Sequence, residues 1–174
     1  PVEPNDFNVI NPATEDPFAV ISLGTAADVD KAVAAARAAF PAFSRTSLDE
    51  RMALLEKLFE IAKRRMPDMA DAISHEMGAP RTLAHNAQAA AGPGHIGAFI
   101  KALGEYEFER DFNDKGERIV HEPIGVCGLI TPWNWPINQI ALKVVPALAV
   151  GCTVVLKPSE IAPMSGLVFA EMVE

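Results

Sequence analysis

The sequence is short of cysteine, with only Cys127 and Cys152 in 174 residues. A disulfide scaffold needs more, so the chain reads as a protein of a reducing, cytoplasmic compartment with free thiols. Positive charge is short as well. Fifteen Lys and Arg stand against 23 Asp and Glu, for a formal net charge of −8. Nucleic-acid binding needs a cationic footprint for the phosphate backbone, and this balance disfavours it. No basic segment leads into an apolar stretch at the start, so no signal peptide is expected there, although the first residue is Pro1 rather than Met. Metal-ligand spacing is missing too. His75, His85, His95 and His121 do not alternate with cysteine or carboxylate as zinc ligands do, and no metal site is expected.

What is present is the profile of a soluble globular protein, 49% hydrophobic and 22% charged, long enough for one domain or one and a piece of a second. The charge is unevenly spread. After Pro123 only Lys143, Lys157, Glu160, Glu171 and Glu174 carry any. The first part therefore reads as amphipathic and surface-rich, the second as an interior. Residues 123–142 are uncharged for 20 residues, about the length of a membrane span. Pro132, Pro136, Asn134, Asn138 and Gln139 within them would leave broken helix and polar groups in hydrocarbon, so no membrane span is expected.

Asn11-Pro12 and Asp16-Pro17 punctuate a small hairpin with flanks Phe7–Ile10 and Phe18–Leu23. A helix is expected from Thr25, with Asp28 as a weak capping partner, Val29, Val33, Ala36 and Phe40 on its apolar face, and Pro41 ending it. Ser47 and Glu50 form a stronger capping box before a helix that buries Met52, Leu55, Phe59 and Ala62 and closes on Lys63-Arg64-Arg65. Pro67 opens a third helix ending near Gly78, and two further helical stretches lie around Thr82–Ala90 and His95–Leu103. Asn113–Gly116 then turns one short strand, Tyr106–Phe112, into another, Glu117–Glu122.

The pattern changes after that hairpin. Gly125–Ile130 and Thr153–Leu156 are apolar runs of strand length. Between them a helix is expected from Pro136 to Gly151, with Ile137, Ile140, Ala141, Val144 and Leu148 buried. Strand, helix and strand in about thirty residues make a βαβ unit with parallel strands. Pro163 starts one more apolar helix. Parallel strands need covered faces and more than one neighbour, so the chain is expected to continue beyond Glu174 as the front part of a longer protein.

Two patterns point away from the chemistry they suggest. Gly92-Pro93-Gly94-His95-Ile96-Gly97 matches the dinucleotide pattern GxGxxG, but no strand precedes it and Pro93 removes an N–H. It reads as a helix–helix connection. Cys127 and Cys152 sit in apolar strands without nearby charge to stabilise a thiolate, and read as core rather than as nucleophiles. Thr131-Pro132-Trp133-Asn134-Trp135-Pro136 is different. It falls where a parallel strand passes into a helix, the place where α/β folds bind ligands, and Lys157-Pro158-Ser159-Glu160 follows the second strand at the same sheet edge. A capped helix start and a surface ion pair would account for either loop alone; together they favour a ligand.

GVCGLITPWNWP, a lysine nine residues after Asn134, and GCTVVLKPSE resemble the aldehyde dehydrogenase superfamily, as do the early hairpin with NPAT and the helical first part. The resemblance covers essentially the whole chain. It implies an α/β fold with an incomplete, parallel Rossmann-like sheet, preceded by a helical N-terminal region and a small β-hairpin arm. Residues 1–105 would be the hairpin and helical part of the cofactor-binding domain, 106–122 a hairpin of the oligomerisation arm, and 123–174 the start of the cofactor-binding sheet, with the catalytic domain absent. It also implies oxidation of an aldehyde to a carboxylic acid by NAD, with NADP also admitted, through a cysteine thioester in the intact enzyme, which would be a homodimer or homotetramer. By the same resemblance Asn134 is the oxyanion donor and Lys143 an accessory to the catalytic relay. Ile130, Thr131, Pro132 and Trp133 line the cofactor, Lys157, Ser159 and Glu160 hold its adenosine end, and Trp135, Gln139 and Leu142 line the aldehyde tunnel. Glu160 favours NAD, since a carboxylate repels a 2′-phosphate, while Ser159 leaves room for NADP. The family's cysteine nucleophile, general-base glutamate and second glycine-rich motif have no counterpart here, so this stretch alone is expected to be inactive. A non-catalytic nucleotide-binding module and a partner-packing domain remain the alternatives, and the gene downstream of codon 174 would separate them.

Overall fold

The computed structural model describes residue 1 and residues 3–174. Asp6–Ile10 (β1) and Pro17–Ser22 (β2) pair antiparallel, as the Asn-Pro and Asp-Pro punctuation requires. α1 (Ala26–Phe43) and α2 (Leu48–Arg64) each start on a full capping box, Thr25 with Asp28 and Ser47 with Glu50. α1 departs from the expected reading at its end. Pro41 lies inside its last turn and the helix runs on to Phe43, where Ser44 N–H closes on the carbonyls of Phe40 and Ala42. Its apolar face is also thinner than expected: Ala36 alone is buried and Val29 is exposed. Small side chains suffice because α1 lies directly on the strands of the later sheet, where Thr153 Oγ1 donates to the Ala36 carbonyl at 2.9 Å.

α3 (Met66–Met77) ends on Gly78 in the left-handed conformation. The next helical stretch corrects the sequence reading. α4 (Arg81–Leu83), a π-helical segment (Ala84–Ala89) and α5 (Ala90–Glu105) follow without a break, so Gly92-Pro93-Gly94 lies within a helix and does not connect two. The π-helical segment ends at Ala89, four residues before Pro93, at the carbonyl a proline ring would otherwise crowd. Gly92 has a tertiary reason. A Cβ there would stand 2.7 Å from Ile137 Cγ1, so the glycine is the seat into which a later helix is pressed.

The second hairpin, Glu109–Asp111 (β3) with Arg118–Val120 (β4), is shorter than its sequence span. Phe112 N–H to Glu117 O and His121 N–H to Phe108 O, both 2.8 Å, continue the bonding at either end. Val126–Ile130 (β5), α6 (Pro136–Ala149) and Thr153–Lys157 (β6) form the expected βαβ unit, its strands parallel. α7 (Met164–Val173) follows. Ile137, Ile140, Ala141, Val144 and Val145 of α6 are buried against α2, α5, α7 and the strands, making α6 the centre of the core. Among the described residues no helix is long and apolar enough to cross a membrane.

Candidate functional site

β5 and β6 are in register with Ile130 opposite Lys157. The Thr131 N–H donates to the Lys157 carbonyl at 3.2 Å, one bond beyond the last strand pair. The chain therefore leaves both strands side by side at their carboxyl ends, one loop running into α6 and the other into α7. α6, which begins there, turns the positive end of its dipole toward the edge, which suits a polar or anionic ligand, whereas the first N–H groups of α7 are taken by Glu76.

In the first loop Thr131 is buried, while Pro132, Trp133, Asn134 and Trp135 are exposed. Ile130 is 73% exposed, an apolar shelf at the strand's end. Trp135 occupies the N-cap position of α6 without a capping side-chain bond, and Pro136 at the first helical position has no N–H to satisfy. Trp135, Gln139 and Leu142 recur at i, i+4 and i+7, which sets them on one face of α6. Lys143 is half-buried, and its Nζ donates to Gln139 Oε1 at 3.0 Å. Two residues given different roles by the sequence are thus joined to each other.

In the second loop Lys157 Nζ lies 2.8 Å from Glu160 Oε2. The Lys157 hydrogen bond holds the Glu160 carboxyl below the usual carboxylate range. An ammonium and a carboxylate so placed present a donor beside an acceptor, a pair that two vicinal hydroxyls of a ribose can engage. The donor set thus fits the adenosine end of a dinucleotide. Ser159 is the buried member of the loop, and its Oγ accepts the Ile161 N–H at 3.2 Å.

The cysteines lie apart from these loops. Cys127 is half-buried in β5 and Cys152 buried just before β6; burial, reinforced by Cys152 beside it, pushes the Cys127 thiol up. That is the environment of core cysteine, where thiolate is disfavoured. Among the described residues no group of three or more His, Cys, Asp or Glu is arranged to hold a metal ion.

Three residues missed in the sequence fix the frame of the site. His95 Nε2 lies 2.7 Å from Asn138 Oδ1 and ties α5 to the first turn of α6. Arg51 Nε donates to the Ala149 carbonyl at 2.9 Å, a cation at the other end of α6, while its guanidinium stacks over Phe108. Glu76 of α3 is buried against the start of α7. Arg51 and Glu76 did leave a signal. Arg51 shares a face with Leu55 and Leu58, and Glu76 with Met69 and Ile73, so each is a charge on an apolar stripe.

The sequence model of the aldehyde dehydrogenase family matches residues 2–174. A 3-succinoylsemialdehyde-pyridine dehydrogenase from a Pseudomonas species is 54% identical over 168 residues, 96% of this chain and 35% of that protein. The crystal structure of an aldehyde dehydrogenase from Bartonella henselae superposes with a TM-score of 0.97 at 52% identity, over 99% of this chain and 37% of that one. A mutant aldehyde dehydrogenase C from Pseudomonas syringae, in complex with NAD+ and octanal, gives 0.96 at 48% identity, over 99% of this chain and 35% of that one. The chain spans about a third of the length of the curated relatives it matches. Agreement of sequence and backbone along nearly all of its length makes this chain a member of the aldehyde dehydrogenase family.

Proposed function

We propose that the polypeptide carrying this chain oxidises an aldehyde to a carboxylic acid with NAD, and that this chain supplies the adenosine site and the oxyanion donor. The supporting observation is the register of β5 on β6, which sets the Thr131–Pro136 and Lys157–Glu160 loops against one another at the carboxyl edge. Lys157 and Glu160 would hold the ribose hydroxyls, with Ser159 beside them and Ile130, Thr131, Pro132 and Trp133 lining the nucleotide. The Glu160 carboxylate opposes a 2′-phosphate, so NAD is preferred to NADP. When bound, the nicotinamide accepts the hydride. Asn134 offers a neutral amide donor to the oxygen on which charge develops, an interaction that strengthens toward the transition state. Lys143, held by its hydrogen bond to Gln139, would serve the catalytic relay, and Trp135, Gln139 and Leu142 would line the approach of the aldehyde. The NAD+ and octanal bound by the Pseudomonas syringae relative agree with this reading.

In the same proposal residues 1–105 and 123–174 belong to the cofactor-binding domain and 106–122 to the arm of a homo-oligomer, in the cytoplasm. The test is a pair of substitutions in the whole polypeptide. Asn134→Ala should lower kcat about 10²–10³-fold, the usual cost of one oxyanion donor, with NAD affinity retained. Lys157→Ala should weaken NAD about tenfold or more, the worth of a charged hydrogen bond, and leave the aldehyde KM in place. Normal turnover in the first variant, or an aldehyde effect in the second, would overturn the assignment.

A further inference from the structure

The loop that carries Lys157 and Glu160 is fixed from a distant part of the chain. Glu76, in the last turn of α3, is 2% exposed. Its carboxylate accepts the Met164 N–H at 2.5 Å and the Ser165 N–H at 3.1 Å, and the Ser165 hydroxyl donates to it as well. These are the first residues of α7, a helix that follows Pro163 and has no capping side chain of its own. A carboxylate 88 residues upstream thus does the work of an N-cap and opposes the positive end of the helix.

The arrangement is costly. Burial pushes the Glu76 carboxyl above the usual range, against the hydrogen bonds from Ser165 and Met164. A Ser or Thr at position 163 would cap the helix without burying a charge. What Glu76 adds is a fixed place for the first turn of α7 relative to α3. That place is passed on, because a Cβ on Gly166 would lie 2.9 Å from Pro158 Cγ, so the ring of Pro158 rests on the bare backbone of α7. Pro158 directly follows Lys157, whose ammonium reaches Glu160. Glu76 also fills the α7 N-terminus with a protein carboxylate, so that helix end offers no free anion site to a dinucleotide phosphate.

We propose that Glu76 is a positioning residue for the cofactor pair: it sets the first turn of α7, Gly166 seats Pro158 on that turn, and the seat determines where Lys157 and Glu160 present their charges. This role rests on the reading of Lys157 and Glu160 as the adenosine site. Glu76→Gln should leave α7 docked, since Phe169 and Met172 anchor it in the core.

The experiment compares Glu76→Gln, Ser165→Ala and Lys157→Ala in the whole polypeptide, by calorimetric titration of NAD, the KM values of both substrates, kcat and melting temperature. Glu76→Gln and Ser165→Ala should each raise the NAD Kd about 3- to 10-fold, the size of coupling carried through packed neighbours, while the aldehyde KM and kcat stay close to the parent. A Glu76→Gln enzyme that melts earlier yet binds NAD like the parent, with Lys157→Ala weakened, would reduce Glu76 to a structural cap. No NAD effect in Lys157→Ala would sink the cofactor reading itself, and the positioning role with it. Should Glu76→Gln not yield folded enzyme, Ser165→Ala decides alone, because it removes one donor and keeps the carboxylate.

Discussion

At the residue scale, the charges of this chain divide into those that water screens and those that it does not reach. Lys157 and Glu160 are exposed enough for their pair to add little to stability. Glu76 is the opposite case. Its carboxyl titrates above the ordinary range, chiefly through burial, so between the unfolded and folded pKa the native state holds more protons than the unfolded one. Stability contributed by this group is therefore complete below the ordinary carboxylate pKa and falls as pH rises through the raised value. The melting temperature of the parent minus that of Glu76→Gln should shrink as pH is raised from about 4.5 and level off above the folded pKa. A difference that instead grew with pH would show that the hydrogen bonds from Met164 and Ser165 outweigh burial. Nothing near Glu76 in the sequence reveals its partners, which lie 88 and 89 residues further on. The Lys157–Glu160 pair was legible because its members are three residues apart and follow a strand whose end could be read.

At the element scale, the two glycines of the Gly92-Pro93-Gly94 run make opposite predictions. Gly92 is buried with Ile137 pressed onto it, and Gly92→Ala should cost about 1–3 kcal/mol through overpacking between α5 and α6. At Gly94 an added Cβ meets nothing within 4 Å and the residue is exposed in mid-helix, so Gly94→Ala should stabilise by about 0.5–1 kcal/mol. Denaturant midpoints of the two variants check this, and equal effects would remove the packing role of Gly92. The run was misread as a connection because glycine and proline normally punctuate helices; here a contact with a helix more than forty residues away overrides that local preference. Where no distant partner intervenes, local signals sufficed. Both capping boxes formed, and Pro136 and Gly151 bounded α6 as their backbone preferences require. Pro41 forgoes only its own N–H bond to the Arg37 carbonyl, and the helix runs on past it because the Ser44 N–H still closes on the Phe40 carbonyl.

At the scale of the whole molecule, the helical core and the sheet are unequally finished. α2, α3, α5 and α6 bury one another's apolar faces, whereas β5 and β6 form a two-stranded parallel sheet, and such sheets are stable when both faces are covered and further strands join. Beside β6, a groove of about 470 Å³ runs between α2 and α7, lined by Leu54, Ile61, Leu148, Leu156 and Val173. Ile124 is 89% exposed at the entry to β5, and Leu167 and Val173 are exposed on α7. Exposed apolar surface of this kind, together with an open strand edge, drives association even in a chain with a net charge of −8. The 174 residues expressed alone should therefore sediment as a concentration-dependent mixture of associated species. They should also bind NAD far more weakly than the whole polypeptide, since Lys157 and Glu160 would hold only its adenosine end and α7, already capped by Glu76, offers no free N-terminus to the phosphates. Sedimentation velocity across a dilution series, with a parallel NAD titration, measures both. A monodisperse monomer with undiminished NAD affinity would mean that the edge of β5–β6 is self-sufficient, and the reading of these two loops as part of a larger site would have to be given up for that of a complete nucleotide-binding module.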